Sequence, residues 1–140
     1  MSITYETLWS AIVTILTILL YFYMGGVVGR MRGRHRIQAP ATSGHPNFER
    51  AFRVHYNTME QLVVFLPLLW LATLLYRGIG WLPALFGVIF LIGRIVYMRL
   101  YMSEPGSRSP GIFIGMLGIL GLLVLSVLGI VEDWIALSAS

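Results

Sequence analysis

The chain has 140 residues, 57% of them hydrophobic and 11% charged, and its mean hydropathy is +0.79. A soluble domain carries about 25% charged residues. This composition therefore excludes a water-facing mini-protein, a nucleic-acid-binding domain and a disordered tail, and the length bounds the chain to one domain over residues 1–140. All ten basic residues are arginine, set against five glutamates and one aspartate, for a formal charge of +4. The absence of cysteine removes disulfides, thiolate metal ligands and cysteine nucleophiles, and three histidines without clustered carboxylates give no metal site.

A helix needs about 20 apolar residues to cross a bilayer, and four stretches qualify, at about 7–29, 54–76, 81–102 and 111–131. Lipid offers no hydrogen-bond partners, so spans of this kind are helices. The expected fold is an all-α membrane protein, a bundle of four transmembrane helices. The first span is too long for a signal peptide, follows Glu6 rather than a basic leader, and lacks a small-residue cleavage site. Its Gly25 and Gly29 have the small-xxx-small spacing of close helix contact, as does the stripe Gly111, Gly115, Gly118, Ser126 and Gly129 on the fourth. Pro67 should kink the second span. Tyr21, Tyr23, Trp70 and Trp81 sit where interfacial aromatic belts are expected.

The connections orient the bundle. The first is long and basic (RMRGRHRIQAPATSGHPNFER), the second is little more than Arg77-Gly78-Ile79-Gly80, and the third, SEPGSRSP, is turn-forming. The first and third share one side, which holds Arg30, Arg32, Arg34, Arg36, Arg50 and Arg108, while Glu6, Arg77, Glu132 and Asp133 lie on the other. The positive-inside rule makes the arginine side cytoplasmic and puts both termini outside. The basic charge thus sits beside membrane spans and predicts contact with lipid headgroups, not with nucleic acid.

Ionisable groups inside a membrane are costly and mark functional candidates. On helix 2, Arg53, Asn57 and Glu60 fall within about 60° of one another, with Arg50 one turn earlier. On helix 3, Arg94, Tyr97 and Tyr101 share a stripe, whereas Arg99 points elsewhere and is expected to snorkel. Rise per residue puts Glu60 and Arg94 roughly 10–12 Å deep, and Asn57 and Tyr97 roughly 6–8 Å deep. The prediction is a cytoplasm-facing polar pocket with Glu60 level with Arg94. A structural Glu60–Arg94 ion pair is the plain alternative, but it leaves the donors of Arg53, Asn57, Tyr97 and Tyr101 in surplus. A small anionic ligand with its own ammonium group would use them.

Two stretches then carry a resemblance. FERAFRVHYNTMEQ (48–61) and RIVYMRLYMSEPGSR (94–108) resemble the two motifs of the MAPEG family, the membrane-associated proteins of eicosanoid and glutathione metabolism. With four spans and a long basic first loop, the resemblance covers nearly the whole chain, and its nearest branch is that of leukotriene-C synthase, the microsomal glutathione transferases and the 5-lipoxygenase-activating protein. It implies a homotrimer binding glutathione between subunits on the cytoplasmic side, with lipophilic substrates arriving from the bilayer. By matched position, Arg53, Asn57, Glu60, Gln61, Arg94, Tyr97 and Tyr101 would line the glutathione site. Arg32 and His55 would contribute from the adjacent subunit, and Arg108 would sit beside the sulfur, with Tyr97 as its catalytic companion. Gln61 stands where the leukotriene-C branch has tyrosine, and His55 replaces a glutamine.

The function this implies is a glutathione transferase or peroxidase, with glutathione as co-substrate, a lipophilic electrophile as partner and no metal. The expected location is a bacterial inner membrane in preference to endoplasmic reticulum. A non-catalytic lipid-binding scaffold of the lipoxygenase-activating type is the rival. A proton-coupled exporter is disfavoured, since helix 1 lacks a titrating carboxylate and Glu60 lies among arginines.

Overall fold

Four helices account for most of residues 4–103 and 107–139, which the computed structural model describes. They are α1 (Tyr5–Arg34), α2 (Pro46–Leu75), α3 (Leu82–Ser103) and α4 (Ser109–Ser138), and no strand occurs among the described residues. The turn expected in the third connection falls partly on residues 104–106, which lie outside the described residues. All four helices are long and apolar enough to cross a membrane. Their outer faces are apolar too, with Phe22, Val63 and Phe113 each more than two-thirds exposed. Such an outside suits hydrocarbon, and the chain is an integral membrane protein with an all-α fold.

Helix ends follow local chemistry. Thr4 caps α1 in a reciprocal box with Thr7, each side chain bonding the other's amide. At its other end Ile37 N–H donates to the Arg32 carbonyl (3.0 Å) and Arg36 N–H to the Gly33 carbonyl (3.3 Å). This double closure places Arg36 at φ 54°, a position that glycine usually takes. Gly44, at φ 138°, turns the chain back toward α2 and donates its amide to the Glu49 carboxylate at 3.0 Å. His45 caps α2 by accepting the Asn47 amide at Nδ1, and Pro46 supplies a first turn with no amide to satisfy. Helix α2 continues through Pro67 to Leu75.

Two packing devices hold the bundle. Val13, Phe65, Leu69, Ala72, Phe90, Leu122 and Leu125 form its main apolar core, with the Phe65 and Phe90 rings stacked 3.9 Å apart. Glycines on α4 then allow backbone contact. A Cβ on Gly118 would stand 2.7 Å from the Phe86 carbonyl oxygen, one on Gly129 2.5 Å from the Leu75 carbonyl carbon, and one on Gly111 would overlap the Tyr97 backbone. The stripe on α4 is therefore a packing surface, in which Ser126 bonds the Leu122 and Leu68 carbonyls. The expectation of close contact on α1 holds at Gly25, where a Cβ would stand 3.3 Å from His55 Nε2, and not at Gly29 within this chain. Gly25 meets only the His55 ring and Gly29 meets open space.

Candidate functional site: a guanidinium-lined cavity between α2, α3 and α4

Near the α1–α2 loop, the i, i+4, i+8 spacing of Arg53, Asn57 and Gln61 puts these side chains on one face of α2. They face Arg94, Tyr97 and Tyr101 of α3 across a cavity of 480 Å³. Helix α4 closes it with Arg108, Ile112, Gly115 and Met116. This closure depends on glycine, since α4 reaches the Tyr97 side of α3 through Gly111, and Gly93 packs on the Gly115 backbone. A second cavity of 630 Å³ shares Arg53 and Tyr101 with the first and extends past Arg50 to Thr42 and Ser43 of the loop. The site therefore opens at the loop end.

Arg94 is the deepest cation, only 3% exposed. Its Nη2 donates to Asn57 Oδ1 and to Thr58 Oγ1, each at 3.1 Å. Thr58 can accept because its own proton goes to the Val54 carbonyl, 2.8 Å away. The guanidinium also lies 4.2 Å above the Tyr97 ring centroid. Its Nε is buried with no hydrogen-bond partner among the described residues. Both acceptors are neutral, and no carboxylate pairs with this charge among the described residues. At the rim, Arg108 Nη1 donates to the Tyr101 hydroxyl at 3.4 Å, and the Tyr97 and Tyr101 rings stack with centroids 5.5 Å apart. Among the described residues the cavity lining thus holds three guanidiniums and no carboxylate, while Glu49 lines the adjoining cavity.

Seven of the residues singled out from sequence meet here: Arg53, Asn57, Gln61, Arg94, Tyr97, Tyr101 and Arg108. Glu60 does not line the cavity. It is exposed and accepts a long 3.4 Å bond from Asn57 Nδ2. The expected level pairing of Glu60 with Arg94 is replaced by bonds to Asn57 and Thr58. The cavity face runs from Arg53 through Asn57 to Gln61, which leaves Glu60 on its flank. A flexible arginine also spans about one helical turn, so the depth of its Cα does not fix its partner. Arg32 and His55 lie on the α1 side of α2. Arg32 donates to the Ala41 carbonyl at 2.8 Å and covers the Phe48 ring, and His55 stacks on Tyr21 at 4.3 Å. Neither reaches this cavity within one chain. Sequence reasoning passed over Thr58, Ile112 and Met116, and read Gly115 as packing alone. Thr58 was legible as the hydroxyl beside Asn57, whereas the α4 residues carry no polar signal.

Two motifs rich in arginine and tyrosine, four apolar spans and this shared cavity coincide with a known family. The sequence profile of the MAPEG family matches residues 10–128. The chain belongs to the MAPEG family. Among its relatives, Uncharacterized protein sll1147 of Synechocystis sp. is 40% identical over 133 residues, 95% of this chain and 96% of that one. Microsomal glutathione S-transferase 2 of Mus musculus is 34% identical over 125 residues, covering 89% and 84%. Leukotriene C4 synthase of Cavia porcellus is 32% identical over 129 residues, covering 92% and 85%.

Proposed function

We propose that this MAPEG protein is a membrane-embedded glutathione-dependent transferase or peroxidase. The observation that carries the reading is the buried Arg94, held by neutral acceptors in a cavity whose lining, among the described residues, adds Arg53 and Arg108 and no carboxylate. Such a site gains most from an anion. Guanidinium groups bind carboxylates bidentately, and glutathione carries two. The relatives named for glutathione transfer and leukotriene C4 synthesis support that choice.

In this reading Arg53 and Arg94 take the carboxylates, with Asn57, Gln61 and Tyr101 supplying neutral contacts. Glu60, at the flank, takes the ammonium. Arg32 and His55 complete the site from a neighbouring copy in a homotrimer, which accounts for their position away from the cavity of their own chain. Arg108 acts on the sulfur. A free thiol with a pKa near 8.5 is mostly protonated at neutral pH, and a guanidinium beside it stabilises the thiolate. Tyr97 donates to the same sulfur. The thiolate then forms a carbon–sulfur bond with a lipophilic electrophile, whose leaving group departs with the bonding pair. With a lipid hydroperoxide it attacks the terminal oxygen and the O–O bond breaks. The alkoxide takes a proton, and a second glutathione converts the sulfenic acid to disulfide and water. Ile112 and Met116 give the cavity an apolar wall for the lipophile. The membrane proposed is a bacterial inner membrane, with the site on its cytoplasmic face.

The test is a titration of the purified protein with glutathione, following the ultraviolet thiolate band, paired with conjugation of a halogenated nitroarene. Wild-type protein should raise the band and turn over. Arg108→Ala should lose most of both while keeping glutathione affinity, and Glu60→Ala should weaken affinity itself. Absence of the band and of turnover in wild type would favour the lipid-binding scaffold.

A further inference from the structure

On the side of α3 away from the guanidinium cavity, a groove of 610 Å³ runs between α1 and α3. Leu20 and Met98 form its floor, and both pack on the buried cluster of Met24, Val54 and Tyr97, so the floor is fixed. Tyr23, Ile95 and Met102 line it, and Arg99 and Ser103 stand at its loop-end mouth. Apart from Arg99 it is apolar or neutral.

Arg99 is exposed, and its guanidinium makes no hydrogen bond or ion pair among the described residues. It sits four residues inside the end of α3, about 6 Å from Ser103 along the axis. A guanidinium at that depth on a lipid-facing helix needs an anionic partner or a path to the headgroup layer. The Ser103 hydroxyl is no substitute, because it donates to the Arg99 and Leu100 carbonyls at 3.0 and 3.1 Å. A second cation, Arg30, falls two turns beyond Tyr23 on the same side of α1, about 10 Å nearer the loop and outside the groove lining. An apolar trough with the Arg99 guanidinium at its mouth matches a phospholipid whose headgroup is net negative. The acyl chain fills the trough and the phosphate meets the fork of Arg99, which suits bidentate phosphate recognition.

We propose that the α1–α3 groove is a binding site for an anionic phospholipid, with Arg99 holding the phosphate. The site is separate from the guanidinium cavity and does not depend on what that cavity binds.

The natural chain has no cysteine, so Ser103→Cys places one thiol at the mouth for a fluorescent label. The labelled protein is put into phosphatidylcholine vesicles containing phosphatidylglycerol, with bromine on the acyl chains of one lipid or the other. Brominated phosphatidylglycerol should quench the label as though locally enriched roughly fivefold, the enrichment expected of one guanidinium at a membrane surface. Arg99→Gln in the same background should abolish that preference, while quenching by brominated phosphatidylcholine persists and reports that the groove is still intact. Equal quenching by the two lipids in the parent, or a preference that survives Arg99→Gln, would overturn the proposal. So would disulfide-linked pairs of unlabelled Ser103→Cys protein, which would mean that a second copy covers the groove.

Discussion

Toward the α2–α3 connection, α2 and α4 touch: Gly129 lies on the Leu75 backbone, Ser126 donates to the Leu68 carbonyl at 3.3 Å, and Arg77 pairs with Asp133. Toward the α1–α2 loop the same two helices separate, and the gap between Asn57 and Gln61 on one side and Ile112 and Met116 on the other is the guanidinium cavity. Helix α3 stays against α4 throughout, through Phe86 and Gly118 at one level and Tyr97 and Gly111 at another. The cavity is therefore a wedge between α2 and α4, floored by Arg94 and Tyr97. Apolar packing holds the closed end, and polar groups that packing alone would reject occupy the open end. Stability should reside at the first end and ligand affinity at the second, and substitutions can separate the two.

The largest expected effect belongs to the closed end. Phe90 is fully buried and stacked on Phe65. Phe90→Ala leaves a ring-sized void and should cost about 3–5 kcal/mol of stability. Thermal unfolding in detergent measures this, and the glutathione affinity of the folded fraction should stay near wild type. A large loss of affinity would show that the wedge is not independent of the core.

Arg94→Leu tests the converse. Losing hydrogen bonds to a charged group is worth about 1.5–3 kcal/mol, or roughly 10- to 150-fold in affinity. Stability should hold or rise, because an apolar side chain replaces a buried cation with one unpartnered nitrogen. A variant that bound glutathione like wild type would remove Arg94 from the site.

How much of this was legible in the sequence follows from what each feature depends on. Four spans and the glycine stripe on α4 were readable because lipid imposes helix and small residues permit backbone contact. Arg53, Asn57, Arg94, Tyr97 and Tyr101 were readable because polar residues in a span are rare and helical spacing assigns them to faces. The Thr58–Arg94 bond was not, since a flexible side chain selects its acceptor by distance, not by the depth of its Cα. Ile112 and Met116 look like any lipid-facing residue until α4 is placed against Tyr97. Gly29 follows the same small-residue spacing as α4 and packs against nothing in the chain, so that pattern permits contact without producing it.

The loop that borders the open end should respond to pH. His35 and His45 stack with ring centroids 3.5 Å apart, and His35 Nε2 is buried without a partner among the described residues. Desolvation first, then the neighbouring His45 and Arg34, hold His35 below the usual histidine range. The neutral ring is thus the folded form. Above pH about 6.5 both folded and unfolded His35 are neutral and the stabilisation is complete. As the pH falls below that value, the unfolded chain takes up a proton first, and stability is lost until the folded pKa is also passed. The unfolding midpoint of wild type should therefore fall more steeply than that of His35→Gln on acidification. Parallel curves would mean that the stack carries no linkage.

The smallest effect is expected where the bundle looks most firmly tied. Arg77 Nε donates to Asp133 Oδ1 at 2.6 Å, joining the end of α2 to the end of α4. Arg77 is largely exposed, 71% against 25% for Asp133, and exposed pairs contribute about 0–1 kcal/mol because water and salt screen them. Asp133→Asn keeps the shape and an oxygen acceptor and should shift the unfolding midpoint little, with the shift shrinking further in high salt. Glutathione affinity should not change. If Asp133→Asn instead destabilised the protein as strongly as Phe90→Ala, the closed end would be held by charge, and the division between a packed end and a polar end would have to be redrawn around that ion pair.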